Sequence, residues 1–381
     1  TPHAFKVGFG DEPNQAYVMS QSLGMRRLDV SAVTGGSAVV GAPALLNAFG
    51  NVFEHSTEDG DVIGVDGVQV VGQDHAYGVE FSGDYAIVAD GDNGLTMYDT
   101  TVSPDPTTGT FLVANIGDSD ASTGLPPLGR TATSKLWTDA STGKTYAVIA
   151  AGEYGISVVD MTDFLASGKQ SDLTLDLSDP TNSKLIKTFE PLKADDDNAF
   201  GSADGKSVDV HVFDDIAYFS YDSFGLVAYR MEDLIRPATE ERPVVVPDGQ
   251  DPEICATITD VTKLSTKFNG VGECRPTAIT QFKLQKLAGY EEADGGALYM
   301  TPQYFPTQYY DSTGTLVTLL KPRLLFYLAY GNAGVVKIDW SEAENPVMLD
   351  IKEVTGGAVG TAINNGRVYT AAGAGGLSVL K

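Results

Sequence analysis

The sequence is poor in cysteine, histidine and basic residues, and it has no long apolar segment. Its 381 residues include two cysteines, four histidines and 25 Lys or Arg residues, against 51 Asp or Glu residues. The net charge of −26 repels phosphate backbones and anionic membranes, so we expect neither nucleic acid nor such a membrane as a partner. No run of about 18 or more apolar residues occurs, which predicts no membrane span.

Sequence signatures of common enzymes are missing as well. We find no GxSxG, no HExxH, no Walker A loop and no GxGxxG at a strand-to-helix junction. The absence of CxxCH excludes haem attachment by that motif. These absences favour a protein without chemistry of its own. A catalytic carboxylate pair stays open, because sequence does not show which acidic residues converge.

Glycine and alternating apolar residues are abundant, and they occur in a repeat. The segment DYAIVADGDNGLTMYDTT (residues 84–101) returns as TYAVIAAGEYGISVVDMT (residues 145–162). Each copy predicts a strand, a turn whose residues tolerate positive φ, and a second strand opened by a marker glycine. Six copies align without gaps on the marker glycines Gly24, Gly94, Gly155, Gly225, Gly334 and Gly376.

Four copies end their second strand in aspartate. We expect these side chains to cap backbone N–H groups of the following turn rather than to act in catalysis, because a catalytic residue need not recur in every unit. The four are Asp29, Asp99, Asp160 and Asp339.

A further strand precedes each pair, and an outer strand follows several of them. This predicts an all-β fold, a β-propeller with antiparallel blades of three to four strands. Gly225 and Gly334 are 109 positions apart, whereas one blade needs only about 40 to 50 residues. We place a seventh unit there, with residues 277–284 as its inner strand and Pro306 in the glycine position. Seven blades are therefore predicted, and six are the alternative.

The repeat resembles a known family. GDYAIVADGDNGLTMYDTT (83–101), DLSDPTNSKLIKTF (176–189) and WSEAENPVML (340–349) are similar to the LVIVD repeat. The resemblance covers nearly the whole chain except the insertions, and it implies a propeller of secreted or surface-attached bacterial and archaeal proteins. Arg230 and Lys381 stand where the repeat has aspartate.

We predict a single domain over residues 1–381 with an irregular insertion at about 233–290. Cys255 and Cys274 lie in this insertion, and a disulfide between them would indicate an oxidising compartment. Two unrelated free thiols are the alternative. The expected location is extracellular or at the cell surface, with the periplasm as an alternative.

Metal ligands are sought among residues outside the repeat. The acidic loop Asp195, Asp196, Asp197 and Asn198 offers oxygen ligands suited to Ca²⁺, although it does not match an EF-hand. His3 and His75 both begin inner strands and are a candidate transition-metal pair. A solvated loop and ordinary hydrogen-bonded histidines are the alternatives.

Two features predict a protein partner. Tyrosines near prolines suit a recognition surface for protein or glycan, formed by Tyr304, Phe305, Tyr309 and Tyr310. The last copy lacks an outer strand, so another protein or a second copy could pair with the open blade edge, or with the insertion. We therefore expect a non-catalytic extracellular module of a surface assembly. A calcium-dependent, lactonase-like propeller hydrolase and a cofactor-free subunit of a filament or electron-transfer complex are the alternatives.

Overall fold

In the computed structural model, the described residues form short β-strands and two five-residue helices. The described residues are 6–8, 15–19, 25–29, 31, 44–49, 61–63, 69–71, 76–91, 94–101, 112–116, 131–152, 155–166, 174–175, 185–189, 206–222, 225–235, 279–282, 298–311, 313–364, 367–372 and 375–380. Within these ranges, neither helix has the length or the apolar content of a membrane span. Contacts divide the chain into two compact units, residues 1–188 with 259–269 and residues 189–258 with 270–381.

The described residues of unit 1 form three sheets and one hairpin. Only Phe189, the last residue of the third sheet, belongs to unit 2. The first sheet is formed by β1 (Lys6–Gly8), β2 (Gln15–Met19), β3 (Met25–Asp29) and β4 (Ala44–Phe49). A separate hairpin follows, formed by β5 (Asp61–Ile63) and β6 (Gln69–Val71). The second sheet contains β7 (Gly78–Ser82), β8 (Tyr85–Ala89), β9 (Leu95–Asp99) and β10 (Leu112–Ile116). The third contains β11 (Thr133–Thr138), β12 (Thr145–Ala150), β13 (Ile156–Asp160) and β15 (Leu185–Phe189). The helix α1 (Thr162–Ala166) and the strand β14 (Thr174–Leu175) lie between β13 and β15 in the chain.

Unit 2 contains three further sheets and one hairpin. The fourth sheet is formed by β16 (Ser207–Phe213), β17 (Ile216–Tyr221), β18 (Gly225–Arg230) and, after α2 (Met231–Ile235), β19 (Thr280–Phe282). The fifth contains β20 (Met300–Phe305), β23 (Arg323–Ala329), β24 (Val335–Asp339) and β25 (Val347–Lys352). Between β20 and β23 the chain forms the hairpin of β21 (Gln308–Tyr310) and β22 (Leu316–Thr318). The sixth contains β26 (Gly360–Asn364), β27 (Arg367–Ala371) and β28 (Leu377–Leu380).

The predicted all-β architecture of antiparallel sheets is confirmed. Each of the six sheets carries one of the six repeats, and its strands pair in chain order. One exception is β14, which pairs in parallel with β10 and gives the second sheet a fifth strand. Outer strands follow several of the strand pairs, as predicted, for example β15 in the third sheet and β25 in the fifth.

The strand before each glycine turn, which is the second strand of its sheet, is apolar on both faces because its residues alternate between two cores. In β8, Ala86 and Val88 pack in a cluster with side chains of the first sheet. Ile87 and Ala89, which point the other way, pack with side chains of the third sheet. The same strand therefore contributes to two cores, one on each face of its sheet. In unit 2, Phe326 of β23 packs with the fourth sheet, while Ala329 packs with the sixth.

The marker glycines lie in a backbone conformation that other residues rarely adopt. Gly94, Gly155, Gly225, Gly334 and Gly376 have φ values of 76°, 86°, 80°, 92° and 76°. The N–H of the residue four positions earlier donates to the marker carbonyl, for example from Asp90 to Gly94 at 2.9 Å and from Tyr330 to Gly334 at 2.8 Å. Gly24 lies outside the described residues.

The strands that we assigned to a seventh unit belong to other sheets. Residues 280–282 form β19, the fourth strand of the fourth sheet, and β20 is the first strand of the fifth. The assignment was wrong for a physical reason. The marker position requires a positive φ, whereas the ring of Pro306 fixes φ near about −65°. The described residues thus form six main sheets, and most of the predicted insertion at about 233–290 lies outside the described residues.

Candidate interaction surface

The predicted aromatic surface lies on an insertion in the fifth sheet. In the second and fourth sheets the first two strands are joined by two residues, Gly83–Asp84 and Asp214–Asp215. In the fifth sheet, residues 306–322 take that place and form the β21–β22 hairpin. All four predicted aromatic residues fall at this site, with Tyr304 and Phe305 at the end of β20 and Tyr309 and Tyr310 in β21. We call residues 304–311 and 313–320 the tyrosine hairpin.

The turn of the tyrosine hairpin is fixed by one aspartate. Asp311 Oδ1 accepts hydrogen bonds from Thr313 N at 2.9 Å, from Thr313 Oγ1 at 2.6 Å and from Thr315 N at 2.9 Å. The hydroxyl and backbone donors stabilise the carboxylate, so the pKa of Asp311 is lowered from its ordinary value. At the base, Leu319 N donates to Thr307 O at 2.7 Å, so the hairpin is closed at both ends.

The two faces of the hairpin differ in exposure. On one face Tyr309 lies opposite Val317, and its ring centroid is 5.0 Å from that of Phe305. On the other face Tyr310 and Leu316 lie directly opposite each other and are 72% and 50% exposed. Leu320, just after β22, is fully exposed. One face therefore fixes the hairpin, while the other presents a tyrosine and leucines to solvent.

Tyr304 connects this surface to the regular sheets. Its ring stacks on that of Phe213, with centroids 6.3 Å apart and an interplanar angle of 17°. Phe213 in turn meets the buried Phe326 edge-on. Tyr304 nevertheless stays partly exposed, so the surface has a rigid support in the core between the fourth and fifth sheets.

The side chains that this surface exposes are suited to contact with another molecule. A tyrosine supplies a large apolar area with a hydroxyl at its tip, and a rigid one loses little conformational entropy on binding. Nearby charges pair with each other, as Lys321 does with Glu342. In the described ranges, His, Cys, Asp and Glu side chains form no group of three or more that could hold a metal ion.

Several predicted site residues cannot be placed. Outside the described residues lie His3, His75, Asp195, Asp196, Asp197, Asn198, Cys255 and Cys274. The calcium, transition-metal and disulfide hypotheses therefore stay predictions.

The four predicted capping aspartates end the strand that follows the glycine turn, which is the third strand of its sheet, and they accept hydrogen bonds from the backbone. Asp29, Asp99, Asp160 and Asp339 each accept a hydrogen bond at Oδ1 from the N–H two residues later, at 2.8, 2.9, 3.0 and 3.1 Å. This is the geometry of a cap, and it joins each strand to the segment that follows.

Sequence reasoning missed a buried polar link in the fourth sheet. Asp209 Oδ2 accepts a hydrogen bond from Met300 N at 3.1 Å, and its Oδ1 accepts one from Val210 N at 3.0 Å. His211 Nε2 lies 3.1 Å from Met300 O and 3.5 Å from Asp209 Oδ2. The link ties β16 to β20. The sequence pattern could have indicated this link, because Asp209 and His211 are polar residues two positions apart and therefore lie on one face of a strand.

Comparisons with known proteins do not identify a family. No protein-family model matches the chain, and no curated protein matches it. Among solved structures, it is similar to the WD40 β-propeller domain of Doa1, with 9% identity over all of this chain and 93% of that one and a TM-score of 0.44. It is similar to BBS1N in complex with ARL6DN, with 8% identity, coverage of 96% and 74%, and a TM-score of 0.41. It is also similar to the computationally designed Ika8 protein, with 9% identity, coverage of 99% and 96%, and a TM-score of 0.38. Scores this low carry no argument about the chain.

Proposed function

We propose that the chain is a non-catalytic β-propeller of the LVIVD-repeat type that binds another protein through the tyrosine hairpin. Six repeat units of three or more strands, with second strands packed on both faces, support a six-bladed arrangement. The acidic composition and the resemblance to the LVIVD repeat support an extracellular or cell-surface location, as part of a surface assembly. The proposal rests mainly on the exposed Tyr310 and Leu316 pair on a fixed hairpin.

Protein binding follows from the geometry of this pair. Interface cores are enriched in tyrosine and depleted in charge, and hot-spot residues cluster at well-supported positions. Tyr310 and Leu316 carry no charge, and their strands are held by the Asp311 turn and by the contact between Phe305 and Tyr309. Exposure of both apolar side chains of this pair does not stabilise the hairpin itself, whereas a bound protein would bury them.

A site-specific photocrosslinking experiment tests the proposal. A photoreactive phenylalanine would replace Tyr310 in the intact chain, expressed in its native host. Ala140 is the matched control, because it lies in the β11–β12 turn, where Asp139 accepts from Ser141 N at 2.8 Å and Gly143 has a φ of 73°. That turn resembles the Asp311 turn, with Gly314 at 79°, but lacks the apolar pair.

We expect one protein to crosslink repeatedly at position 310 and not at position 140. The double variant Tyr310→Ser, Leu316→Ser should weaken binding of the identified protein at least about tenfold, the loss typical of a hot spot. Equal crosslinking at both positions, or unchanged affinity of the double variant, would contradict the proposal.

A further inference from the structure

One arginine of the first sheet is buried at the tip of its side chain without an acceptor. Arg26 lies in β3, and its Nη1 atom is buried. Among the described residues, no acceptor lies within hydrogen-bond distance of this atom, and no carboxylate pairs with the guanidinium. Burial lowers the pKa of Arg26 from its ordinary value. An unpaired charge is costly to remove from water, so a buried guanidinium is expected to have an anion beside it.

The next residue of the same strand shows the arrangement that Arg26 lacks. Arg27 Nη1 donates a hydrogen bond at 2.6 Å to the carbonyl oxygen of Thr100, just after β9 of the second sheet. Side chains alternate along a strand, so Arg26 points to the opposite face of the first sheet. The two arginines therefore differ in their surroundings, although they are adjacent in the chain.

The face that contains Arg26 is otherwise apolar in the described strands. Val18 of β2 lies directly opposite Arg26, and Val7 of β1 lies opposite Val18. Ala16 and Leu28 form the next pair on the same face. Ala16 is buried and Val18 and Leu28 are half-buried, whereas Val7 is 51% exposed. Arg26 as a whole is also only half-buried, so a small molecule can approach its guanidinium from solvent.

The chemistry of this face selects the ligand. A guanidinium is planar, and its parallel N–H donors match the two oxygens of a carboxylate or two oxygens of a phosphate. Arg26 supplies one positive charge, which neutralises a monocarboxylate but would leave a phosphate dianion with excess charge beside Val18 and Leu28. These apolar neighbours suit the hydrocarbon part of an organic acid.

We propose that Arg26 anchors a binding site for a small organic monocarboxylate. The two carboxylate oxygens pair with the guanidinium, and the apolar part of the ligand lies along Val7, Val18 and Leu28. This site is separate from the tyrosine hairpin, and it does not depend on the function proposed for that hairpin.

Hexanoate is a suitable probe, because it combines one carboxylate with a short aliphatic chain. A titration followed by saturation-transfer-difference NMR gives its Kd for the full chain. Hexanamide has the same length without the charge. We expect hexanamide to bind at least about fivefold more weakly than hexanoate, because it cannot form the charge-assisted pair.

Matched variants of the two adjacent arginines locate the site. Arg26→Met should weaken hexanoate binding at least about tenfold, whereas Arg27→Met should weaken it less than about twofold. Arg26→Lys keeps the charge but loses the planar pair of donors, so its loss should lie between that of Arg26→Met and no loss. Circular dichroism would verify that all three variants fold.

Thermal unfolding without hexanoate separates this proposal from an internal ion pair. Arg26→Met should leave Tm unchanged or raise it, because it removes a buried charge that has no partner. Arg27→Met should lower Tm by at least about 2 °C, because the carbonyl oxygen of Thr100 loses its donor. An equal drop for Arg26→Met would show that a carboxylate of the chain itself already pairs with Arg26, and it would overturn the proposal. So would equal binding of hexanoate by Arg26→Met and wild type, or absence of binding to wild type at about 10 mM hexanoate.

Discussion

The fifth and sixth sheets contain the same strand, glycine turn and strand, but among the described residues only the fifth has a fourth strand. A second difference lies one position after each marker glycine. Val335 is 3% exposed because it packs with side chains of the sixth sheet, whereas Leu377 at the equivalent position is 70% exposed. The repeat therefore specifies the turn and the pairing of the strands, while burial of the third strand depends on whether another sheet packs on its face.

The marker glycines show the same contrast. A methyl group added to Gly334 would overlap the carbonyl oxygen of Lys352, the last residue of β25, and would lie 2.8 Å from Glu353 Cα. A methyl group added to Gly376 would meet no atom within 4 Å. Both residues have positive φ, so both sites disfavour other residues, but only the fourth strand encloses the turn.

The largest expected effect comes from this pair of glycines. We expect Gly334→Ala to lower the free energy of unfolding by at least about 3 kcal/mol, because a left-handed conformation and a backbone overlap act together. Gly376→Ala should cost only about 1 to 2 kcal/mol, the conformational part alone. Urea denaturation of both variants measures the difference. Equal losses would mean that β25 does not restrict the turn.

An apolar truncation at the next position should give a smaller contrast. Val335→Ala removes buried methyl groups and should cost about 1.5 kcal/mol, whereas Leu377→Ala should change the free energy of unfolding by less than about 0.5 kcal/mol. Thermal unfolding of the two variants and the wild type is sufficient to compare them. If Leu377→Ala is as destabilising as Val335→Ala, then this face of the sixth sheet is covered in solution.

Much of the fold was predictable because its signals are local. Alternation of apolar residues predicted strands such as β8 and β12, and the marker glycines predicted turns that need positive φ. The capping aspartates recur at one position of the repeat, so their role could be inferred from the pattern of Asp99 and Asp160 alone.

The failures have physical causes too. The residues around Pro306 alternate like a repeat, but Pro306 cannot take the conformation of a marker glycine. Residues 300–305 and 308–310 form β20 and β21 instead, which belong to a sheet and to a hairpin. The sequence predicted an aromatic surface at Tyr304, Phe305, Tyr309 and Tyr310, yet it did not reveal which rings are exposed. That depends on the register between β21 and β22, which places Tyr310 opposite Leu316.

The smallest expected effect concerns the cap of the fifth sheet, where the sixth has Lys381 at the equivalent position. Burial alone would raise the pKa of Asp339, but hydrogen bonds from Ser341 and Arg323 outweigh it, so the pKa is lowered overall. Because its pKa is lower in the folded state, ionised Asp339 stabilises the fold at pH values above its unfolded-state pKa of about 3.9. This stabilisation is lost as the pH falls through the lower pKa of the folded state.

We therefore expect Asp339→Asn to cost about 1 kcal/mol at neutral pH, since the amide oxygen still accepts from Ser341 N while the partly exposed ion pair with Arg323 is lost. The difference from wild type should shrink as the pH falls below about 4, where the carboxylate becomes protonated. Asp350→Asn is the control on the exposed edge of the same sheet, and its effect should be smaller. Urea denaturation at several pH values measures both. A difference that persisted unchanged at low pH would show that the Asp339 charge contributes nothing, and that the cap acts only through the geometry of its hydrogen bond.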